Sequence, residues 1–194
     1  MKKIMFNDRY GLTEAVLEKR KTMTRRVERI DFYPGSREEQ IEEFCKFRVS
    51  WLGFDNNRNW IARLVPHYAI GEEVAVAQPY KDAFSPFDWV NRLIYEEEQG
   101  WMNKMFVKAK YMPHSIRITD IRVERLQDIS DEDCIREGVT EEDTPTDTGY
   151  SFYGTQGNWE TPRAAFAVLI DKVSGKGTWG RNPWVFAYTF ELVR

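Results

Sequence analysis

Cysteine and histidine are scarce, two of each in 194 residues. Cys45 and Cys134 stand far apart, with no Cys-x-x-Cys pair and no clustered histidine, which argues against a disulfide framework or a zinc site. The expectation is a chain without a metal, in a reducing cytoplasm. No apolar run approaches the ~20 residues that a membrane helix needs. Residues 1–8 carry cations, but their apolar part ends at once, unlike a secretory leader. Positive charge is not in excess either: 28 Lys and Arg face 31 Asp and Glu, for a net charge of −3. Nucleic-acid binders are usually basic overall, so any such role must rest on a local patch. There is no Gly-rich phosphate loop and no serine elbow motif. His67 and His114 lie in unrelated segments and receive no role. Nothing in the sequence asks for a cofactor.

Aromatic residues, by contrast, are plentiful. They make up 14% of the chain, within a hydrophobic share of 42%, so a sizeable core can form. The length suits one domain. Leu12, Ala15, Val16 and Lys19 keep i, i+3, i+4, i+7 spacing and predict a helix over about 11–20. Ser36–Glu39 reads as a capping box opening a helix at 37–47. Residues 49–54 and 60–65 flank a polar loop and predict a hairpin. Val74 to Ala77 reads as a short buried strand. Ser85-Pro86 opens a helix carrying Phe87, Val90, Leu93 and Ile94 on one face, with Gly100 ending it. Strands are expected at 104–111 and 115–126. In the second, the apolar alternation slips at Asp120, the sign of a bulge. Ser130–Asp133 caps a two-turn helix that ends at Gly138. Residues 140–160 show no periodicity and read as a long loop. Thr161-Pro162 opens a helix with Phe166, Leu169, Ile170 and Val173 on one face. Trp184 to Val193 alternates as a final strand.

Three features could carry chemistry. Lys19-Arg20-Lys21-Thr22-Met23-Thr24-Arg25-Arg26 packs five cations and two hydroxyls into eight residues. Crowding by like charges favours the neutral amine of Lys21, which could then act as a base toward a threonine hydroxyl. In a flat strand Lys21 and Thr24 would point to opposite faces, so the chain must turn or bulge between them. The alternative is a solvated basic turn. Glu137 is the second feature. It sits in the last turn of its helix, where the dipole disfavours an anion by roughly 0.3–1 kcal/mol. It is either an offset surface glutamate or a working carboxylate. The third is Gly177–Trp184, where Trp179, Arg181 and Asn182 could stack on and bond to a nucleobase. Equally, the two tryptophans could be core anchors.

The basic stretch resembles the G-R-K-T-x-T-R-R signature of the ASCH domain family, in the PUA-like superfamily. Leu126 to Val139 is similar to the family's strand-then-helix element ending in Glu-Gly. Trp179 to Phe190 is similar to the closing strand of phage- and prophage-type members. The chain departs from their pattern at Gly71–Tyr80. The resemblance implies an α+β fold: a PUA-like small mixed β-barrel with surrounding helices. All of 1–194 would form one domain, with insertions at about 36–70 and 80–100. It also implies a basic cleft that binds RNA or a modified nucleoside. Small bacterial members hydrolyse the acetyl amide of N4-acetylcytidine, which maps a nucleophile onto Thr24, its base onto Lys21 and a proton donor onto Glu137. Arg20, Thr22, Arg25, Arg26, Trp179 and Asn182 are the expected substrate contacts. The leading reading is a binding module that grips RNA or a nucleoside through Lys21, Arg25, Arg26 and Trp179; the alternatives are this amidohydrolase and a phage accessory protein whose pocket is vestigial, filled by Trp179 or the 140–160 loop. The polar character of the site leads us to expect Lys21 to be partly exposed.

Overall fold

The computed structural model describes residues 1–28, 30–46, 52–54, 60–84, 89–143, 148–155 and 157–194. In chain order, Lys2–Ile4 is β1, Leu12–Leu17 is α1, Met23–Arg26 is β2 and Ile30–Phe32 is β3. Then come α2 (Glu38–Lys46), β4 (Leu52–Phe54), β5 (Trp60–Leu64), β6 (Glu73–Val76), α3 (Tyr80–Ala83) and α4 (Trp89–Tyr95). The second half holds β7 (Ser115–Arg125), α5 (Asp131–Arg136), β8 (Thr140–Asp143), β9 (Thr148–Ser151), α6 (Pro162–Ser174), α7 (Thr178–Arg181) and β10 (Trp184–Leu192). The architecture is mixed α+β. Among the described residues no helix is long and apolar enough to cross a membrane.

The main sheet has the order β1-β6-β7-β10-β2 and is antiparallel except where β1 meets β6. β10 lies between β7 and β2, and Val185 to Tyr188, which alternate between its two faces, are all buried, so both faces are covered. That explains why its apolar character is continuous where the sequence suggested simple alternation. On β7, Ile118 pairs with Phe190 and Asp120 with Thr189, leaving Thr119 as the extra residue of a bulge. The shift keeps Ile116, Ile118, Ile121 and Val123 all in the core.

The expected closure into a barrel does not occur. β1 and β2 are the two edges of the sheet. β1 is three residues long and runs into the turn at Asp8–Tyr10, so it has few backbone groups to offer a further ladder. Where a ladder would run, Arg26 Nη2 donates to the Met5 carbonyl at 2.8 Å. Beside that bond a cleft opens between Met5–Asn7 and Thr24–Val27.

The segment from 30 to 64 builds a second sheet, β3-β5-β4. Its predicted hairpin is present as β4 against β5, while residues 49–51 and the 55–59 loop lie outside the described residues. Ile41 and Cys45 of α2 and Leu64 of β5 join the main core. The predicted Ser85-Pro86 cap also lies outside the described residues. α4 follows it, but Val90, Leu93 and Ile94 are exposed, so this helix does not dock the expected face into the core. A smaller cluster forms around Tyr80, with Ala75, Ala77, Val107 and Met112.

Two expectations are corrected here. Residues 104–111 form two short 3-10 turns, not a strand. Their carbonyls find another donor: the Lys3 ammonium reaches Met105 O (2.6 Å) and Val107 O (2.8 Å). Residues 140–160 are not all loop, because β8 and β9 pair as an antiparallel ribbon. Tyr150 bridges on to Trp159, and Phe152 stacks on that indole with centroids 5.4 Å apart. Two-residue alternation over four residues is too short a signal to stand out.

α6 follows its sequence signals closely. Thr161 Oγ1 accepts from Ala164 N at 3.1 Å, proline opens the first turn, and Phe166, Leu169 and Ile170 are buried. α5 is capped by Ser130, whose Oγ accepts from Asp133 N at 3.2 Å. It ends at Gly138, which has φ = +109°. A Cβ there would sit 2.9 Å from Leu12 Cδ2. We therefore expect Gly138→Ala to destabilise the fold by about 1–3 kcal/mol, through backbone strain and the clash with Leu12. Denaturant unfolding measures this, and a variant as stable as the parent would refute it.

Candidate functional site

α1 stops sooner than its sequence pattern suggests, because Lys19 takes a left-handed conformation (φ = 62°). The chain then doubles back, and the Lys21 amide donates to Ala15 O at 2.9 Å. This turn aims Lys21 inward, ahead of β2. The five cations of the stretch consequently have different fates. Arg20 stays at the surface with Glu18 (2.5 Å). Lys21, contrary to the expected partial exposure, is only 2% exposed. Arg25 is buried as well, and Arg26 reaches Met5 O.

Lys21 Nζ donates to Glu137 twice, to its backbone oxygen and to Oε2, both at 2.6 Å. Glu137 caps the C-terminus of α5. The anion at a helix end is thus explained by its partners, since Arg25 Nη1 also donates to Oε1 at 3.3 Å. Arg25 holds two more carboxylates, Glu124 (2.6 Å) and Asp133 (2.8 Å). Arg122 shares Asp133 at 2.5 Å. Sheet register makes this sharing possible. Arg25 and Arg122 both pair with Ala187, whose methyl group leaves room between the two guanidiniums.

The physics of this cluster sets its protonation. Burial lowers the Lys21 pKa below the usual lysine range; attraction to Glu137 opposes the shift, while repulsion from Arg26 and Arg25 adds to it. Burial alone would raise the Asp133 carboxyl, but hydrogen bonds from Arg25 and Arg122 outweigh it and hold the pKa low. Burial also works against the Arg25 charge, yet Glu137 and Glu124 keep its pKa raised. Burial pushes the Cys134 thiol up to about 12, so it offers no thiolate nucleophile.

These groups form the floor of a cleft of about 540 Å³. Lys21, Thr24, Arg25, Arg26 and Glu137 all line it, with apolar walls from Phe6, Leu12, Phe166 and Ile170. The Phe6 ring centroid lies 5.9 Å from Lys21 Nζ and 6.0 Å from Arg26 Cζ. Thr24 faces the same side of β2 as Arg26, and its hydroxyl bonds to neither Lys21 nor Glu137 among the described residues. Its side chain is buried at the cleft wall.

Four expected contacts are elsewhere. Arg20 is at the surface, and Thr22 accepts from Arg136 Nε at 3.2 Å. Trp179 packs edge-on against Phe166, at 6.1 Å, beneath the Arg163 guanidinium. Asn182 takes φ = 46° and accepts from Gln127 N at 2.8 Å, a structural cap. Trp179 does not line the cleft, nor do the described residues of 140–160, so none of these fills it. Sequence reasoning missed Phe6, Asp133 and Glu124, which carried no spacing signal toward the basic stretch, whereas Arg181, singled out with Trp179 and Asn182, does line the cleft. A larger cavity of about 1200 Å³ lies along β7. Its arginines 122, 125 and 181 face Glu42, Asp120, Glu124 and Asp128, so it presents no net charge of either sign strongly. Among the described residues no three His, Cys, Asp or Glu side chains form a metal-sized group.

Because Asp133 has a depressed folded pKa, its stabilisation is present above the unfolded value near ~3.9 and is lost as pH falls through the folded one. Asp133→Asn should therefore be less stable than the parent at pH 7, with the gap narrowing as pH falls below about 4. Unfolding curves across that range test it, and a gap independent of pH would contradict it. Compared with protein-family models, curated proteins and solved structures, the chain matches none of them.

Proposed function

We propose that this chain is a PUA-like, ASCH-type protein whose cleft takes a modified nucleoside and removes an acyl group from its exocyclic amine, as in N4-acetylcytidine. The observation that carries the reading is the buried Lys21–Glu137 pair at the floor of a cleft that also holds the unbonded Thr24 hydroxyl. Burial lowers the lysine pKa, which favours a neutral amine in the role of base. The cleft volume falls within the roughly 300–1,000 Å³ typical of small-molecule sites.

The chemistry balances if the Lys21–Glu137 pair holds one proton between its two members, on the carboxyl, before attack. Thr24 Oγ adds to the acyl carbonyl while its proton passes to the Lys21 amine. As the C–N bond breaks, Glu137 gives its proton to the departing amine. An acyl-threonine and a Lys21 ammonium–Glu137 carboxylate pair remain. Water then attacks the ester, giving one proton to Glu137, and Lys21 returns one to Thr24. Arg25 stays charged throughout and holds Glu137 in place. Phe6 offers an apolar surface for a base.

Long RNA is the weaker ligand. Of the basic stretch, Arg20 is tied to Glu18, and Arg25 is buried among three carboxylates. Among the described residues, no continuous track of free cations leads from the cleft. One observation favours binding without turnover: Thr24 has no hydrogen bond to Lys21, so a ligand or a bridging water would have to complete the relay.

Incubation with N4-acetylcytidine, followed by chromatography of released cytidine, tests the reading. Lys21→Met and Glu137→Gln should each lower the rate at least ~100-fold, the scale of lost acid–base catalysis, while circular dichroism shows a retained fold. Absence of release by the parent protein would leave binding alone.

A further inference from the structure

The inference below rests on the cleft being a ligand site of nucleoside size. Its charges are not all compensated. Lys21 and Arg25 are neutralised by Glu137, Asp133 and Glu124. Arg26 and Arg181, which line the same cleft, have no ion-pair partner among the described residues. Arg26 uses Nη2 on Met5 O, while its Nε is buried with no hydrogen-bond partner at all. A buried donor left unmade carries an uncompensated desolvation cost, so it points to an absent acceptor. Arg181 is exposed at the rim, with only Thr178 Oγ1 (2.9 Å) and Lys176 O (3.4 Å) as acceptors. Both guanidiniums thus line the cleft with N–H groups to spare, Arg26 through its buried Nε and Arg181 from the exposed side, where Asp171 is its nearby anion.

We propose that the ligand carries a phosphate monoester: the substrate is a 5′-mononucleotide bearing the acylated base, and Arg26 and Arg181 receive the phosphate. A dianion matches two free cations, and planar guanidinium forks match phosphate oxygens. A phosphodiester brings one charge per nucleotide and would need a track of further cations, which the described residues around the cleft do not offer. The base would lie toward Phe6, with its acylated amine at Thr24.

Calorimetric titration with cytidine, cytidine 5′-monophosphate and inorganic phosphate tests this, using the parent protein, Arg181→Gln and Arg26→Gln. In parallel, hydrolysis of N4-acetylcytidine is compared with that of its 5′-monophosphate. The monophosphate should bind roughly ten- to a hundredfold tighter than the nucleoside, the scale of charge-assisted hydrogen bonds, and lose that advantage as salt rises. Arg181→Gln, a surface change, should remove most of the difference. Arg26→Gln should do the same, once a retained fold is verified by circular dichroism. Equal affinity for nucleoside and monophosphate in the parent protein overturns the proposal, even if both are hydrolysed, and the hydrolase reading then survives. Phosphate-dependent affinity without hydrolysis of either compound supports the phosphate site and removes the hydrolase instead. A preference that neither variant diminishes also overturns the proposal.

Discussion

Burying a lysine and an arginine within one cluster is costly, because each must leave water and each repels the other. The carboxylates of Glu137, Asp133 and Glu124 make it tolerable. They arrive from two elements, α5 and β7, while the cations come from the start of β2. The cluster therefore fastens the β2 region to β7 and α5, across sequence separations of 99 to 116 residues. It is also the site proposed for the chemistry. An arrangement that stabilises the fold only when complete leaves Lys21 and Glu137 with fixed positions and little freedom, which is what proton transfer over short distances requires. Arg25 bridges the two roles, since it touches Glu137 on one side and Asp133 and Glu124 on the other.

The open sheet matters for the same reason. Had β1 and β2 paired, the barrel would have closed over the region where the cleft now lies. Instead the gap is spanned by one arginine side chain and walled by Phe6 and α6. Edge strands usually need covering. Here the edge of β2 is covered by the ligand-sized cavity, by the 5–7 segment and by the apolar stripe of α6. Its backbone direction carries Thr24 and Arg26 to one face and Arg25 to the other. Both faces reach the cleft because β2 is the last strand, and a side chain from either face can turn around its edge. Lys21 lies in the turn ahead of β2, outside the strand's alternation, so it lines the same cleft as Thr24 without a hydrogen bond to it.

Functional reading follows the distribution of satisfied and unsatisfied charge. Arginines that looked equivalent in the sequence separate into a surface pair, a buried clamp and a free donor. Only the last kind can meet a ligand, and counting it alone shifts the balance from polymer toward a small anionic molecule. The same logic removes Trp179 and Asn182 from the site. Each has its interactions filled within the protein, the indole by Phe166 and Arg163 and the amide by Gln127.

Much of the local structure was legible from residues alone. The Thr161-Pro162 helix, the Ser130 cap, the bulge near Asp120 and the hairpin of β4 and β5 follow from capping, proline and two-residue periodicity, which are properties of neighbours in the chain. The density of charge at 19–26 and the misplaced anion at Glu137 also marked the site, because each violates a local rule. What the sequence could not show was which partner answers which charge. That Lys21 meets Glu137, that Asp133 is shared across Ala187, and that Arg26 is left with an orphan donor all depend on register and on contacts between distant segments. The turns at 104–111 and the exposed face of α4 have the same origin: Lys3 supplies donors to one, and nothing among the described residues covers the other. Local propensity determined the elements and flagged the anomalous residues, whereas burial, which only packing confers, decided which of those residues came together at the cleft.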